Sequence, residues 1–119
     1  MEKKQIFNPK IVDDVPEITP SEFTSYIGKV TLIDVRRPEE FNGELSHIPG
    51  AKLIPLGPDL DSFLHSHDRN DEIVFVCRSG ARSGRATLQS RAMGFLKSVN
   101  LQGGMLLWNH QKYPTEGGQ

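Results

Sequence analysis

Apolar residues along this chain fall into short blocks, and the spacing within each block decides the element it makes. Val30 to Val35 (VTLIDV) is a near-continuous apolar run, the pattern of a strand buried on both faces. Ile73 to Val76 (IVFV) has the same buried-strand character, and Lys52 to Pro55 and Ser98 to Leu101 are shorter strands. Between them the spacing lengthens to that of helices. Thr19-Pro20-Ser21-Glu22 combines a capping box with proline at the first helical position. Phe23, Tyr26 and Ile27 give that helix its apolar stripe, and Gly28 stops it. A helix of one to two turns is expected from Pro38 to Asn42, with Glu39 and Glu40 in its first turn. Leu60, Phe63 and Leu64 mark another after Gly57-Pro58. The helix beyond Cys77 is expected to bury Leu88 and Ala92 and to end at Gly94, with Phe95 folding back. Gly103-Gly104 opens a final amphipathic turn whose Leu106, Leu107 and Trp108 face the core.

Strands separated by helices predict an α/β fold, with a central, mostly parallel β-sheet covered by helices on both faces. A chain of 119 residues fits one domain with a proper core, and no internal repeat is present. Residues 1–16 are weakly patterned and expected to form an N-terminal arm, extended near Ile11 and Val12. Residues 17–114 are expected to form the domain, and 115–119 a flexible tail after Pro114. No apolar stretch approaches transmembrane length, so no membrane partner is expected. The basic N-terminus is not followed by the apolar run of a signal peptide.

Charge changes the picture through its distribution rather than its sum. Residues 1–72 carry a local net of −6, whereas 73–115 hold six bases and no acid, a local net of +6. Such asymmetry points to an anionic ligand, while the near-neutral total argues against nucleic acid. Arg91, Lys97 and Lys112 read as solvated surface charge, and Arg78 and Arg82 as ligand-facing. The single cysteine excludes an internal disulfide, and no Cys/His cluster has zinc spacing. No metal or cofactor is expected, and a reducing cytoplasm suits the thiol.

That cysteine carries the chemistry. Cys77 stands at the C-terminal end of a buried strand, and Arg78-Ser79-Gly80-Ala81-Arg82-Ser83 leads from it into a helix. Open α/β sheets bind ligands at this edge. Gly80 lets the backbone curl, so successive N–H groups converge as an anion-binding nest, and the helix adds its positive end. These amides, with the two arginines, favour the thiolate. The segment is no nucleotide P-loop, because the Gly-Lys-Ser/Thr that reads phosphate and magnesium is missing.

Four segments in this order resemble the rhodanese-like sulfurtransferases. They are Leu32-Ile33-Asp34-Val35-Arg36 with Pro38-Glu39-Glu40-Phe41, His47-Ile48-Pro49-Gly50-Ala51, the loop Cys77 to Ser83, and Leu101-Gln102-Gly103-Gly104 with Trp108. The resemblance runs from about Glu17 to Tyr113 and implies a single rhodanese domain. It implies that Cys77 carries sulfur as a persulfide, that the loop amides from Arg78 to Arg82 hold the outer sulfur, and that the Ser83 hydroxyl supports it. Asp34 and Arg36 match structural positions joined by hydrogen bonds near the active face, and His47 matches a turn residue. Ser46 stands where family members often have glycine. His65, His67 and His110 match nothing and read as surface or helix-end residues.

The function implied is sulfane-sulfur transfer from thiosulfate or a similar anionic donor to cyanide, a thiol or a protein acceptor, with Arg78 or Arg82 attracting the donor. Two other classes compete. A cysteine phosphatase or arsenate reductase of the same fold needs five residues between cysteine and arginine, or a second thiol. This chain has four and no second thiol. A non-catalytic module would commonly lack the nucleophile, which is present here.

Overall fold

The computed structural model describes residues 5–117; Met1 to Lys4, Gly118 and Gln119, parts of the expected arm and tail, lie outside the described residues. Six strands form one sheet: β1 (Lys10–Val12), β2 (Val15–Ile18), β3 (Thr31–Asp34), β4 (Lys52–Leu53), β5 (Ile73–Val76) and β6 (Val99–Leu101). Their order is β1-β2-β6-β5-β3-β4, and every pairing is parallel except the β1–β2 hairpin. The α/β class and the mostly parallel sheet follow the expectation. Residues 10–16 differ, because they join the sheet as part of the hairpin rather than standing off as an arm. Asp13 and Asp14 both take positive φ (49° and 68°) to make its two-residue turn.

Five α-helices connect and cover these strands: α1 (Pro20–Phe23), α2 (Pro38–Phe41), α3 (Pro58–Ser66), α4 (Ala81–Ala92) and α5 (Gly104–His110). α1 begins with the expected capping box, Thr19 Oγ1 accepting from Glu22 N–H and Glu22 Oε1 accepting from Thr19 N–H. Alternation along the central strands divides the core in two. Leu32, Val74 and Val76 pack with Phe23 of α1 and Met105 and Trp108 of α5. Ile33, Ile73 and Phe75 pack on the other face with Leu60 and Leu64 of α3, Ala86 of α4 and Phe95. Helices therefore cover both faces.

Two helical faces differ from the sequence pattern. Leu88 is 42% exposed and Ala92 is also at the surface, whereas α4 turns Ser83, Gly84, Ala86, Thr87 and Ser90 inward. Small side chains bring this helix close to the sheet, and its hydroxyls are satisfied locally. Thr87 Oγ1–H donates to the Ser83 carbonyl at 2.8 Å and Ser90 Oγ–H to the Thr87 carbonyl at 2.8 Å. In α5 Leu106 is exposed, and Met105 takes the core place beside Trp108. At the end of the chain, Glu116 and His47 exchange two backbone hydrogen bonds of 2.8 and 3.2 Å, so this part of the expected tail lies against the domain.

Candidate active site

β3 and β5 are neighbours at the centre of the sheet, and from them the chain runs outward in opposite directions, to β4 and to β6. The crevice beyond their C-terminal ends is where such a sheet collects ligand-binding loops. Asp34 and Val76 are register partners there, so Cys77 emerges beside Val35 and Arg36. Cys77 is only 1% exposed and packs at the rim of the apolar cluster behind β5.

The loop after it turns its amides to the sulfur. Gly80 N–H donates to Cys77 Sγ at 3.1 Å, and the Ser83 hydroxyl lies 3.3 Å away. Gly80 takes φ of 106° to make this turn and stands at the N-cap of α4. The carbonyls point the other way. Met105 N–H donates to the Cys77 carbonyl at 2.8 Å and Leu106 N–H to the Arg78 carbonyl at 3.0 Å, so the first turn of α5 holds the loop with its donors inward. Burial pushes the Cys77 thiol up. Hydrogen bonds from the Ser83 hydroxyl and from the amides of Ser83, Gly80 and Ser79 outweigh it and hold the thiol below its ordinary value. These are the expected nest and helix end, built from neutral dipoles.

The two loop arginines separate in role. Arg78 is exposed and lines a cavity of about 210 Å³ with Arg36, Glu39, Glu40, Gly43, Glu44 and Leu45. Arg82 instead forms a fork with Glu40 of α2, at 2.7 and 2.8 Å. The Arg82 guanidinium, with the amide of Arg37, lowers the Glu40 carboxyl to about 2 against the partial burial that raises it. Arg82 is thus engaged by a carboxylate, and Arg78 is the loop arginine that faces solvent. The pair is formed above the ordinary carboxyl value of 4.5 and is lost as pH falls through about 2. Glu40→Gln is expected to destabilise the protein by about 1 kcal/mol at neutral pH, the upper end for a partly exposed pair. Urea melts across pH check this: the difference from the parent protein should shrink steadily below pH 4.5.

Asp34 and Arg36 form the joined pair expected of them. Arg36 Nε and one terminal nitrogen donate to the Asp34 carboxylate at 2.9 and 2.8 Å, and both residues are buried. The same terminal nitrogen donates to the Ser46 carbonyl at 2.7 Å. That bond pins Ser46 at φ of 57°, a left-handed conformation that suits glycine better. His47 donates from Nδ1 to the Phe41 carbonyl at 2.9 Å and stacks on the Phe41 ring at 3.6 Å, which is turn packing away from the sulfur. His65 donates to the Asp61 carbonyl near the end of α3, and His67 to Asp71 at 2.6 Å. Among the described residues, no three His, Cys, Asp or Glu side chains are grouped to hold a metal ion. No helix among them is long and apolar enough to cross a membrane.

Sequence reasoning missed three residues. Glu40 enters the sequence reading as a helix-start acid and as part of a resembling segment, not as the partner of Arg82. Asn100 and Glu17 were not singled out, yet Asn100 sits fully buried behind Ser83. The available signal was a polar residue in the middle of a strand whose neighbours are apolar.

Comparisons with known proteins agree with this geometry. A family model described as rhodanese-like domain matches residues 19–111. A Bacillus subtilis protein named as a candidate sulfur carrier protein is 36% identical over 97 residues, covering 79% of this chain and 51% of that protein. A Mycobacterium tuberculosis protein named a probable adenylyltransferase/sulfurtransferase is 35% identical over 106 residues, covering 82% of this chain and 25% of that one. The chain thus spans about half the length of the first relative and a quarter of the second. Among solved structures, a human single-domain sulfurtransferase superposes with a TM-score of 0.70 at 29% identity, covering 82% of this chain and 98% of that one.

Proposed function

The chain belongs to the rhodanese-like domain family, and from that membership and the loop geometry we propose that it is a sulfurtransferase working through a Cys77 persulfide. The observation that carries the reading is a buried sulfur at the centre of converging amide and hydroxyl donors. The Cys77 thiolate attacks the outer sulfur of thiosulfate or a similar anionic donor. A new S–S bond forms at Cys77, the donor's S–S bond breaks, and sulfite departs with its electron pair. The loop amides stabilise charge on the bound persulfide. Attack by cyanide or a thiol on the outer sulfur then restores the thiolate. Arg78, exposed beside the loop, attracts the anionic donor, while Arg82 holds the loop through Glu40. A protein acceptor is included in the proposal, since relatives are named for sulfur carriage and for sulfurtransferase activity. The reducing cytoplasm is the compartment proposed.

The phosphatase alternative is disfavoured by Arg82. A phosphoryl group needs that guanidinium inside the loop, and here it is turned to Glu40. Intact-protein mass spectrometry tests the proposal: thiosulfate should add one sulfur atom and cyanide should remove it. The same protein should leave p-nitrophenyl phosphate essentially unhydrolysed. No mass gain together with brisk phosphatase turnover would reverse the assignment.

A further inference from the structure

Behind the loop the Ser83 hydroxyl continues into Asn100 and Glu17, two residues that the sulfur-transfer reading does not use. Ser83, Asn100 and Cys77 are each at most 1% exposed. Asn100 Nδ2–H donates to Glu17 Oε2 at 2.9 Å and to the Gly80 carbonyl at 3.1 Å. Both partners are acceptors, so the amide orientation is forced and Oδ1 must face Ser83. Ser83 Oγ is 2.5 Å from that Oδ1 and 3.3 Å from Cys77 Sγ.

A serine hydroxyl has one hydrogen, and two acceptors lie within its reach. At 2.5 Å two oxygens without a proton between them would repel, so Ser83 donates to Asn100 in the resting protein. The neutral thiol is content with this, because its own S–H can donate to the free lone pair of Ser83 Oγ; the Ser83 bond that lowers the thiol is one made to the thiolate. Once Cys77 gives its proton to solvent, the sulfur can only accept. The thiolate and Asn100 Oδ1 then need the same hydrogen. The sulfur gains the Ser83 bond only by leaving a buried amide oxygen unpaired.

We propose that Asn100, held in orientation by Glu17, is a positioning residue that sets the charge and reactivity of the Cys77 sulfur by competing for the single Ser83 hydroxyl hydrogen. The inference builds on the proposed role of Cys77, but the property it concerns is the thiol itself. Its test therefore reads alkylation and not sulfur transfer. Loss of thiosulfate loading would count against the function, and an unchanged alkylation profile against this inference.

Other charges around the sulfur have to be held constant. They are Arg82 with Glu40 of α2, Asp34 with Arg36 at the end of β3, Arg78 in the loop, and Glu17 behind Asn100. Asn100→Ala keeps every one of these charges, while Glu17 and the Gly80 carbonyl lose the bond from its amide. The rate of iodoacetamide alkylation is measured against pH in the parent, Asn100→Ala, Ser83→Ala and the double variant. Freeing the Ser83 hydroxyl should move the Asn100→Ala inflection down by about one pH unit. Ser83→Ala should move it up by a similar amount, and the double variant should match Ser83→Ala alone. An upward shift in Asn100→Ala, or a double variant equal to the sum of the singles, overturns the proposal. Should the Asn100 variant fail to fold, the partly exposed Glu17 offers a second route. Glu17→Ala should shift the inflection only while Ser83 is present, and a shift of equal size in the Ser83→Ala background would mean simple charge removal and sink the idea.

Discussion

Cys77→Ser should fold as the parent does, take up no sulfur from thiosulfate and produce no thiocyanate above background. Serine replaces one small buried side chain by another and can keep the Gly80 donor, so thermal unfolding should move little. The chemistry, by contrast, has no substitute. A serine hydroxyl remains protonated at neutral pH and has no adjacent base, and the described residues include no second thiol. Among the described residues no histidine hydrogen-bonds the sulfur, and His47, the histidine of the turn motif, is committed to the Phe41 carbonyl. The expected loss is at least about a thousandfold in thiocyanate formation, the scale seen when a covalent nucleophile is removed. Retained turnover in a folded Cys77→Ser protein would end the persulfide reading.

Much of this arrangement is legible in the sequence. Strands β3 and β5 show as unbroken apolar runs because both of their faces are covered, and a strand ending in cysteine, glycine and a helix already describes the nest. The missing parts share a physical cause. The buried face of α4 is made of Ser83, Thr87 and Ser90, whose hydroxyls bond to carbonyls of their own helix or to neighbours. Hydrophobic periodicity scores that face as exposed and assigns Leu88 to the core, where it is not. The same blindness hides Asn100, a polar residue made tolerable inside a strand by three partners that no local pattern reveals. The β1–β2 hairpin escaped because Asp13-Asp14 is not the Asn-Gly or Asp-Gly pair that normally announces a two-residue turn. Distance along the chain places Arg82 near the thiol and says nothing of what it pairs with. Its actual partner, Glu40, lies 42 residues away.

Gly104 shows how the loop depends on an element 27 positions further along. The glycine takes φ of 57°, and a Cβ built there would lie 2.5 Å from the carbonyl oxygens of both Cys77 and Arg78. Those oxygens are bound by the next two amides of α5, from Met105 and Leu106, so the close approach is what turns the loop carbonyls away from the sulfur. Backbone cannot yield as a side chain tip can. Gly104→Ala should therefore cost about 3 kcal/mol, combining left-handed strain with displacement of the loop. The activity loss should exceed what unfolding explains. Below the melting temperature, where the variant is still folded, carbonyls shifted toward the sulfur would weaken the amide nest and raise the thiol. Slower alkylation at neutral pH and slower sulfur loading should appear together. Gly84 provides the comparison within the same region, because a Cβ there meets only ordinary contacts at 3.6 Å and beyond and its φ needs no glycine. Gly84→Ala should keep the alkylation profile of the parent. If Gly104→Ala behaved the same way, the grip of α5 on the Cys77 and Arg78 carbonyls would not be what aims the loop amides at the sulfur.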